Sequence, residues 1–187
     1  YTSGEIVSLL DRLKARLLYT IEGWGADGKA GEIAPALKSV ASLKAIWTPG
    51  SMPKPATAPP PPVTDPDKVF YLAFTSGTTG APKCVMHSDN TLLANCRDLV
   101  RAWNQGPRTR MLSLSPLSHH IAWVGVAQWL AAGSEFITDD PPAGMSRLDW
   151  IIETGATYVL GVPTHAMDIL AEQKRRGIAR LGSVETF

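Results

Sequence analysis

The chain has 187 residues, 44% of them apolar and 19% charged, with a formal net charge of +1. That length can bury roughly 70% of the unfolded surface in a real core, and the apolar-to-charged balance excludes a chain disordered throughout. So small a net charge gives no basic field for nucleic acid, and no stretch reaches the ~20 apolar residues that span a bilayer, since the longest run, Ile121 to Gly133, is interrupted by Gln128.

Thr2-Ser3-Gly4-Glu5 has capping-box spacing, and Ile6, Leu10, Leu13 and Leu17 then recur at helical intervals, which predicts an amphipathic helix. Residues 17–21 read as a short buried strand, 33–43 as a helix with Pro35 in its first turn, and 45–48 as a strand. Between Pro49 and Pro66 a run of prolines removes backbone donors and favours an extended surface connection. The apolar run Val69 to Ala73 predicts a strand, and Cys84-Val85-Met86 another. Ser88 can cap a helix carrying Leu92, Leu93, Cys96, Leu99, Val100 and Trp103. Strands at 111–115, 135–138 and 157–162 then alternate with helices at 121–132, 146–154 and from Pro163, the last with Ala166, Ile169 and Leu170 inward and Lys174, Arg175 and Arg176 near its C-terminus. This alternation predicts an α/β fold with a largely parallel sheet, in which ligands bind beyond the carboxyl ends of strands.

The most informative stretch is Phe74-Thr75-Ser76-Gly77-Thr78-Thr79-Gly80-Ala81-Pro82-Lys83, placed between two strands. Gly77 and Gly80 let the backbone approach a ligand closely. The hydroxyls of Thr75, Ser76, Thr78 and Thr79 add donors to those of the backbone, and Lys83 adds a full positive charge. A polyanion such as a triphosphate suits this loop, each hydrogen bond to a charged oxygen contributing roughly 1.5–3 kcal/mol. A bare S-G-T-T-G also describes an ordinary solvated loop. The Walker pattern fails, because it needs glycine at Pro82 and Ser or Thr at Cys84.

With its extension to Pro82 and Lys83, this stretch resembles the phosphate-loop signature of the adenylate-forming enzymes, which include acyl-CoA synthetases, luciferases and peptide-synthetase adenylation domains. Cys84 stands where that family usually has glycine. A second segment, Ser115-Pro116-Leu117-Ser118-His119-His120-Ile121-Ala122-Trp123, joins a strand end to a helix start. Taken alone it describes a helix capped by Ser118 with Trp123 and Trp129 in the core. Beside the first motif it resembles the Pro-x-x-His segment of acyl-CoA synthetases, with Ala122 where glycine is frequent. Gly155 to Thr164 is similar to the family's strand and Val-Pro-Thr turn, and Asp65-Pro66-Asp67 to the acidic turn before its phosphate-loop strand.

The resemblance implies part of the N-terminal domain of an acyl-CoA synthetase: 1–48 a first α/β segment, 49–66 the Pro-rich loop, 67–187 the phosphate-loop and acyl-pocket segment, with the C-terminal domain absent. It implies ATP-dependent activation of a fatty, alicyclic or aryl carboxylic acid to an acyl-adenylate, then thioester formation with coenzyme A, with ATP, Mg²⁺ and coenzyme A as cofactors. Thr75, Ser76, Gly77, Thr78, Thr79, Gly80 and Lys83 would hold the nucleotide, His119 would border the carboxylate as the catalytic residue, and His119, Trp123 and Gly125 would line the acid's pocket. No protein metal ligands are assigned, and a Cys84, His87, Cys96 site lacks a fourth ligand. Neighbouring His87, Ser88 and Asp89 cannot form a hydrolase triad. No acidic residue stands between Met111 and Gln128 to hold an α-amino group, which disfavours an amino-acid substrate. The two cysteines lack disulfide-framework spacing, so reduced thiols in the cytoplasm are expected. The family's later motifs have no counterpart before Phe187, so the chain is read as a piece of a longer polypeptide that does not complete the reaction alone. A non-catalytic nucleotide-binding module, or an adenylating enzyme with another acyl acceptor, remains the alternative.

Overall fold

A computed structural model describes residues 1–21, 36–54, 58–75 and 82–187. They form two units, Tyr1–Pro61 and Pro62–Phe187.

In the first unit the Thr2 hydroxyl accepts the Glu5 amide at 3.3 Å while the Glu5 carboxylate accepts the Thr2 amide at 2.7 Å. This reciprocal pair satisfies donors that a helix start leaves open, and α1 (Ser3–Arg12) follows. Its Ile6, Val7 and Leu10 pack on buried Leu37 and Val40. Strand β1 (Leu17–Tyr19) runs parallel to β2 (Ala45–Trp47), Leu18 opposite Ile46. Two sequence expectations are corrected here. The strand at 17–21 is not buried, because this two-stranded pair packs only the Leu18 and Ile46 side, and Leu17 and Tyr19 are exposed. Of the helix expected at 33–43, the described part holds a single 3-10 turn, Ala36–Ser39. Leu37 and Val40, three apart, bury together and match its tighter period.

In the second unit β3 (Tyr71–Thr75) and β4 (Lys83–His87) form an antiparallel hairpin. The buried Ser88 caps α2 (Asp89–Ala102) by accepting the Thr91 amide. Then come β5 (Arg110–Ser113), α3 (His120–Ala132), β6 (Glu135–Thr138), α4 (Arg147–Glu153), β7 (Tyr158–Leu160) and α5 (Pro163–Arg175). Strands β6, β5 and β7 make a parallel sheet in that order.

Alternation along these strands sends side chains to both faces. Leu112, Ile137 and Val159 pack with Leu148 and Ile151 of α4 and Ile169 of α5. On the other face Met111, Phe136 and Leu160 meet α3, and α2 covers α3 through Leu92, Cys96, Val124 and Ala127. Each fully buried Leu, Ile or Met contributes about 1.5–3 kcal/mol, so this layered α/β/α core fixes the ends of β5 and β7. Gly133 ends α3 with φ 64°, a left-handed cap open to glycine. Leu170 is exposed, correcting its expected inward position: Ala166, Ile169 and Gln173 carry the inward stripe of α5, and Leu170 lies about 100° round from Ile169.

Candidate functional site

The hairpin brings Thr75 directly opposite Lys83. Both are exposed, and residues 76–82 form the connection between them. The candidate ligands Ser76, Gly77, Thr78, Thr79 and Gly80 lie outside the described residues. The strand–loop–strand reading holds, and the two strands are antiparallel. The opposite end of the hairpin is tied to α2. Asp65 accepts the Asp67 amide at 3.0 Å, and the Asp67 carboxylate accepts the Asn90 side-chain amide at 2.7 Å, tying the acidic turn to the start of α2.

The second segment leaves β5 held by backbone. The Leu114 amide donates to the Leu160 carbonyl at 2.8 Å, and the buried Ser113 hydroxyl donates to the Ser115 carbonyl at 3.1 Å. His119, rather than Ser118, is the N-cap of α3; its backbone is extended, and its side chain makes no capping bond. The His119 amide donates to the Pro116 carbonyl at 2.8 Å, and the side chain is exposed at the helix start. Trp123, one turn on, is half-buried with its ring 5.1 Å from that of Tyr71. Gly125 is buried, and a β-carbon there would lie 2.7 Å from Leu160 Cδ2. It faces the sheet, where its lack of a side chain permits close helix approach.

Sequence reasoning missed the group that joins these parts. Tyr71 and His87 are cross-strand partners, so their rings share one face of the hairpin. They stack at 5.7 Å, and His120 completes the stack at 5.8 Å from Tyr71 and 4.8 Å from His87, the last pair within 15° of parallel. Burial pushes the His120 pKa below the usual histidine range, and the nearby His87 and His119 push it the same way. Counting outward from Thr75 and Lys83 would have paired Tyr71 with His87, and the three-residue interval puts His120 and Trp123 on one helix face. Cys84 lies on the opposite face of β4 from His87, and fully buried Cys96 donates its thiol to the Val124 carbonyl at 3.5 Å. These three cannot converge on a metal. Burial pushes the Cys96 thiol up to about 11.

This layered α/β fold matches N-terminal domains of adenylate-forming enzymes among solved structures. The inhibitor-bound N-terminal domain of FACL13 from Mycobacterium tuberculosis superposes with a TM-score of 0.79, covering 98% of this chain and 46% of that one at 19% identity. The whole chain, residues 1–187, matches the AMP-binding enzyme family, and it belongs to that family. Among curated relatives, the 3-methylmercaptopropionyl-CoA ligase of Ruegeria lacuscaerulensis is 29% identical over 130 residues, 66% of this chain and 23% of the ligase. The pyochelin synthetase PchF of Pseudomonas aeruginosa is 31% identical over 94 residues, 49% of this chain and 5% of the synthetase. The chain thus spans less than a quarter of the length of either relative. No helix among the described residues is long and apolar enough to cross a membrane.

Proposed function

We propose that the polypeptide carrying this chain activates a carboxylic acid with ATP and passes the acyl group to the thiol of coenzyme A. The carboxylate attacks the α-phosphorus of ATP, giving an acyl-adenylate and releasing pyrophosphate; the thiol then displaces AMP. The observation that carries this reading is the pairing of Thr75 with Lys83 at the mouth of the hairpin, which makes a hydroxyl-bearing and a cationic residue cross-strand neighbours where the motif loop begins and ends.

Such a step is catalysed mainly by positioning and by stabilising charge on the departing phosphates. Lys83 and the loop hydroxyls would hold those phosphates. Magnesium would neutralise them, bound chiefly to the triphosphate itself; among the described residues no cluster of three or more His, Cys, Asp or Glu is suited to hold the ion alone. His119 borders the acid's carboxylate from the start of α3, and Trp123 offers an apolar edge beside it. Gly125 contributes through close packing of α3 on the sheet.

Similarity to a peptide synthetase favours a second reading, transfer to a carrier-bound thiol. Against an α-amino acid substrate stands the lack of any acidic residue between Met111 and Gln128. Acid-dependent ATP–pyrophosphate exchange on the full polypeptide, with fatty, alicyclic, aryl and amino acids, tests adenylation. AMP release on adding coenzyme A then tests the acceptor. Exchange without coenzyme A-dependent release would move the conclusion to the carrier; ATP binding without exchange would leave a nucleotide-binding module.

A further inference from the structure

No strand pairing joins the β3–β4 hairpin to the β6–β5–β7 sheet among the described residues. Rings meet in that gap instead. Tyr71 from β3 and His87 from β4 stack on His120 from α3, and Trp123 of the same helix closes on Tyr71. The stack therefore bridges the hairpin bearing Thr75 and Lys83 to the helix start at which His119 stands.

The His120 ring is housed as a neutral imidazole. Nδ1 of His87 and Nδ1 of His120 are both buried without a hydrogen-bond partner, so a proton on either would bury an N–H that has no acceptor. His120 is the first residue of α3, where the helix presents the positive end of its dipole. Two imidazolium charges would face each other across rings 4.8 Å apart. The surrounding groups offer no relief. Tyr71 is the only titratable residue β3 contributes, and Lys83 of β4 is exposed at its far end. On α2, Asp89, Arg97, Asp98 and Arg101 are exposed, and Arg110 of β5 pairs with Glu135 of β6 at the amino ends of those strands. Among the described residues β7 carries only Tyr158 as a titratable residue, and His119, next in the chain, disfavours a proton on His120 as His87 does.

We propose that His87 and His120 are positioning residues: their stacked rings clamp the nucleotide-loop hairpin to the helix that presents His119, and protonation of His120 releases the clamp. The inference rests on the adenylation reading for its effect on rate, and on geometry alone for the clamp.

His120→Phe keeps the ring and removes its titration, whereas His120→Ala removes the ring. In the full polypeptide, exchange by the unaltered enzyme is expected to hold down to the ordinary histidine range, about 6.5, and to fall only at pH values beneath it, where His120 takes up its proton. His120→Ala is expected to lose roughly tenfold to a hundredfold near neutral pH, the scale of a misplaced reacting group. His120→Phe is expected to recover most of that rate and to flatten the acid limb, and His87→Phe, which keeps a ring in the stack, to retain most of the unaltered rate. Histidine proton resonances read the clamp without activity: the chain has four histidines, and the His120 signal should titrate below the ordinary range and move in His87→Phe. An acid limb kept by His120→Phe, or a His120 titration indifferent to His87→Phe, would overturn the clamp. Absence of exchange with every acid would instead overturn the adenylation reading, and the resonances would still decide the clamp.

Discussion

Gly125 offers a direct test of how α3 sits on the sheet. A β-carbon there would lie 2.7 Å from Leu160 Cδ2, 3.2 Å from Phe136 Cε2 and 3.4 Å from Met111 Sδ. Leu160 is half-buried and its methyl can turn aside, and the Met111 contact is an ordinary one, but the stiff Phe136 ring, wedged between α3 and the sheet, must give by a few tenths of an ångström. Overpacking of this kind costs about 1–3 kcal/mol, while replacing glycine by alanine inside a helix gains about 1 kcal/mol. Gly125→Ala is therefore expected to lose between about 0 and 2 kcal/mol. Gly125→Val adds two methyls, and its branching gives back part of the helix gain, so about 3 kcal/mol or more should go. With a urea slope of about 1–3 kcal/mol per molar, the Val variant should unfold at least ~1 M earlier with the slope unchanged. A Val variant as stable as the unaltered chain, with a changed acid preference in pyrophosphate exchange, would refute the packing argument and put Gly125 on an open pocket wall.

Other expectations follow from single contacts. Lys83→Ala removes a charged donor whose bonds contribute about 1.5–3 kcal/mol, so ATP affinity and exchange rate should drop by roughly tenfold to a hundredfold; unchanged values would remove Lys83 from the nucleotide site. Ser88→Ala deletes the α2 cap and should cost about 0.5–2 kcal/mol in denaturant melts, with Ser88→Thr restoring most of it. Cys96, buried and with its thiol pushed up to about 11, should resist a thiol reagent at mildly alkaline pH until the chain is unfolded, while half-buried Cys84 reacts first. His120, its folded pKa depressed below an unfolded value of about 6.5, should leave stability unaffected above that pH and lose it as the pH falls toward the folded pKa; His120→Phe should abolish this share of the loss.

Much of this fold was legible because its signals are local. Thr2 with Glu5, Ser88, Gly133 and Pro163 each mark a helix end by chemistry within one turn, and the β5, β6 and β7 strands are apolar runs between such marks. Errors arose where burial depends on a partner far along the chain. Leu17 and Leu170 are apolar but exposed, because nothing among the described residues packs the outer side of β1 or the flank of α5. The alternation of strand and helix correctly indicated parallel pairing, and the two strands flanking the motif loop were legible as well, though not that they pair with each other as an antiparallel hairpin. At the site, the loop and the Pro-x-x-His segment were readable as motifs. The Tyr71, His87, His120 and Trp123 stack was not, since it brings together residues up to 52 positions apart that no local pattern relates.

That stack bears on why two motifs suffice for recognition but not for geometry. Lys83 is placed by antiparallel pairing within the hairpin, and His119 by the end of β5 and the Leu114 to Leu160 backbone bond. Neither device refers to the other. A reaction that depends on positioning is sensitive to about 1 Å between its groups, so something must relate the two halves. Among the described residues the rings of Tyr71, His87, His120 and Trp123 form a direct side-chain bridge between hairpin and helix. Rings nearly parallel and in contact resist sliding less than they resist separation, so the bridge should hold spacing more firmly than register. Substitutions that thin the stack should then impair catalysis before they unfold the domain, whose sheet and helices are secured by the separate core of Leu112, Leu148, Ile151 and Ile169.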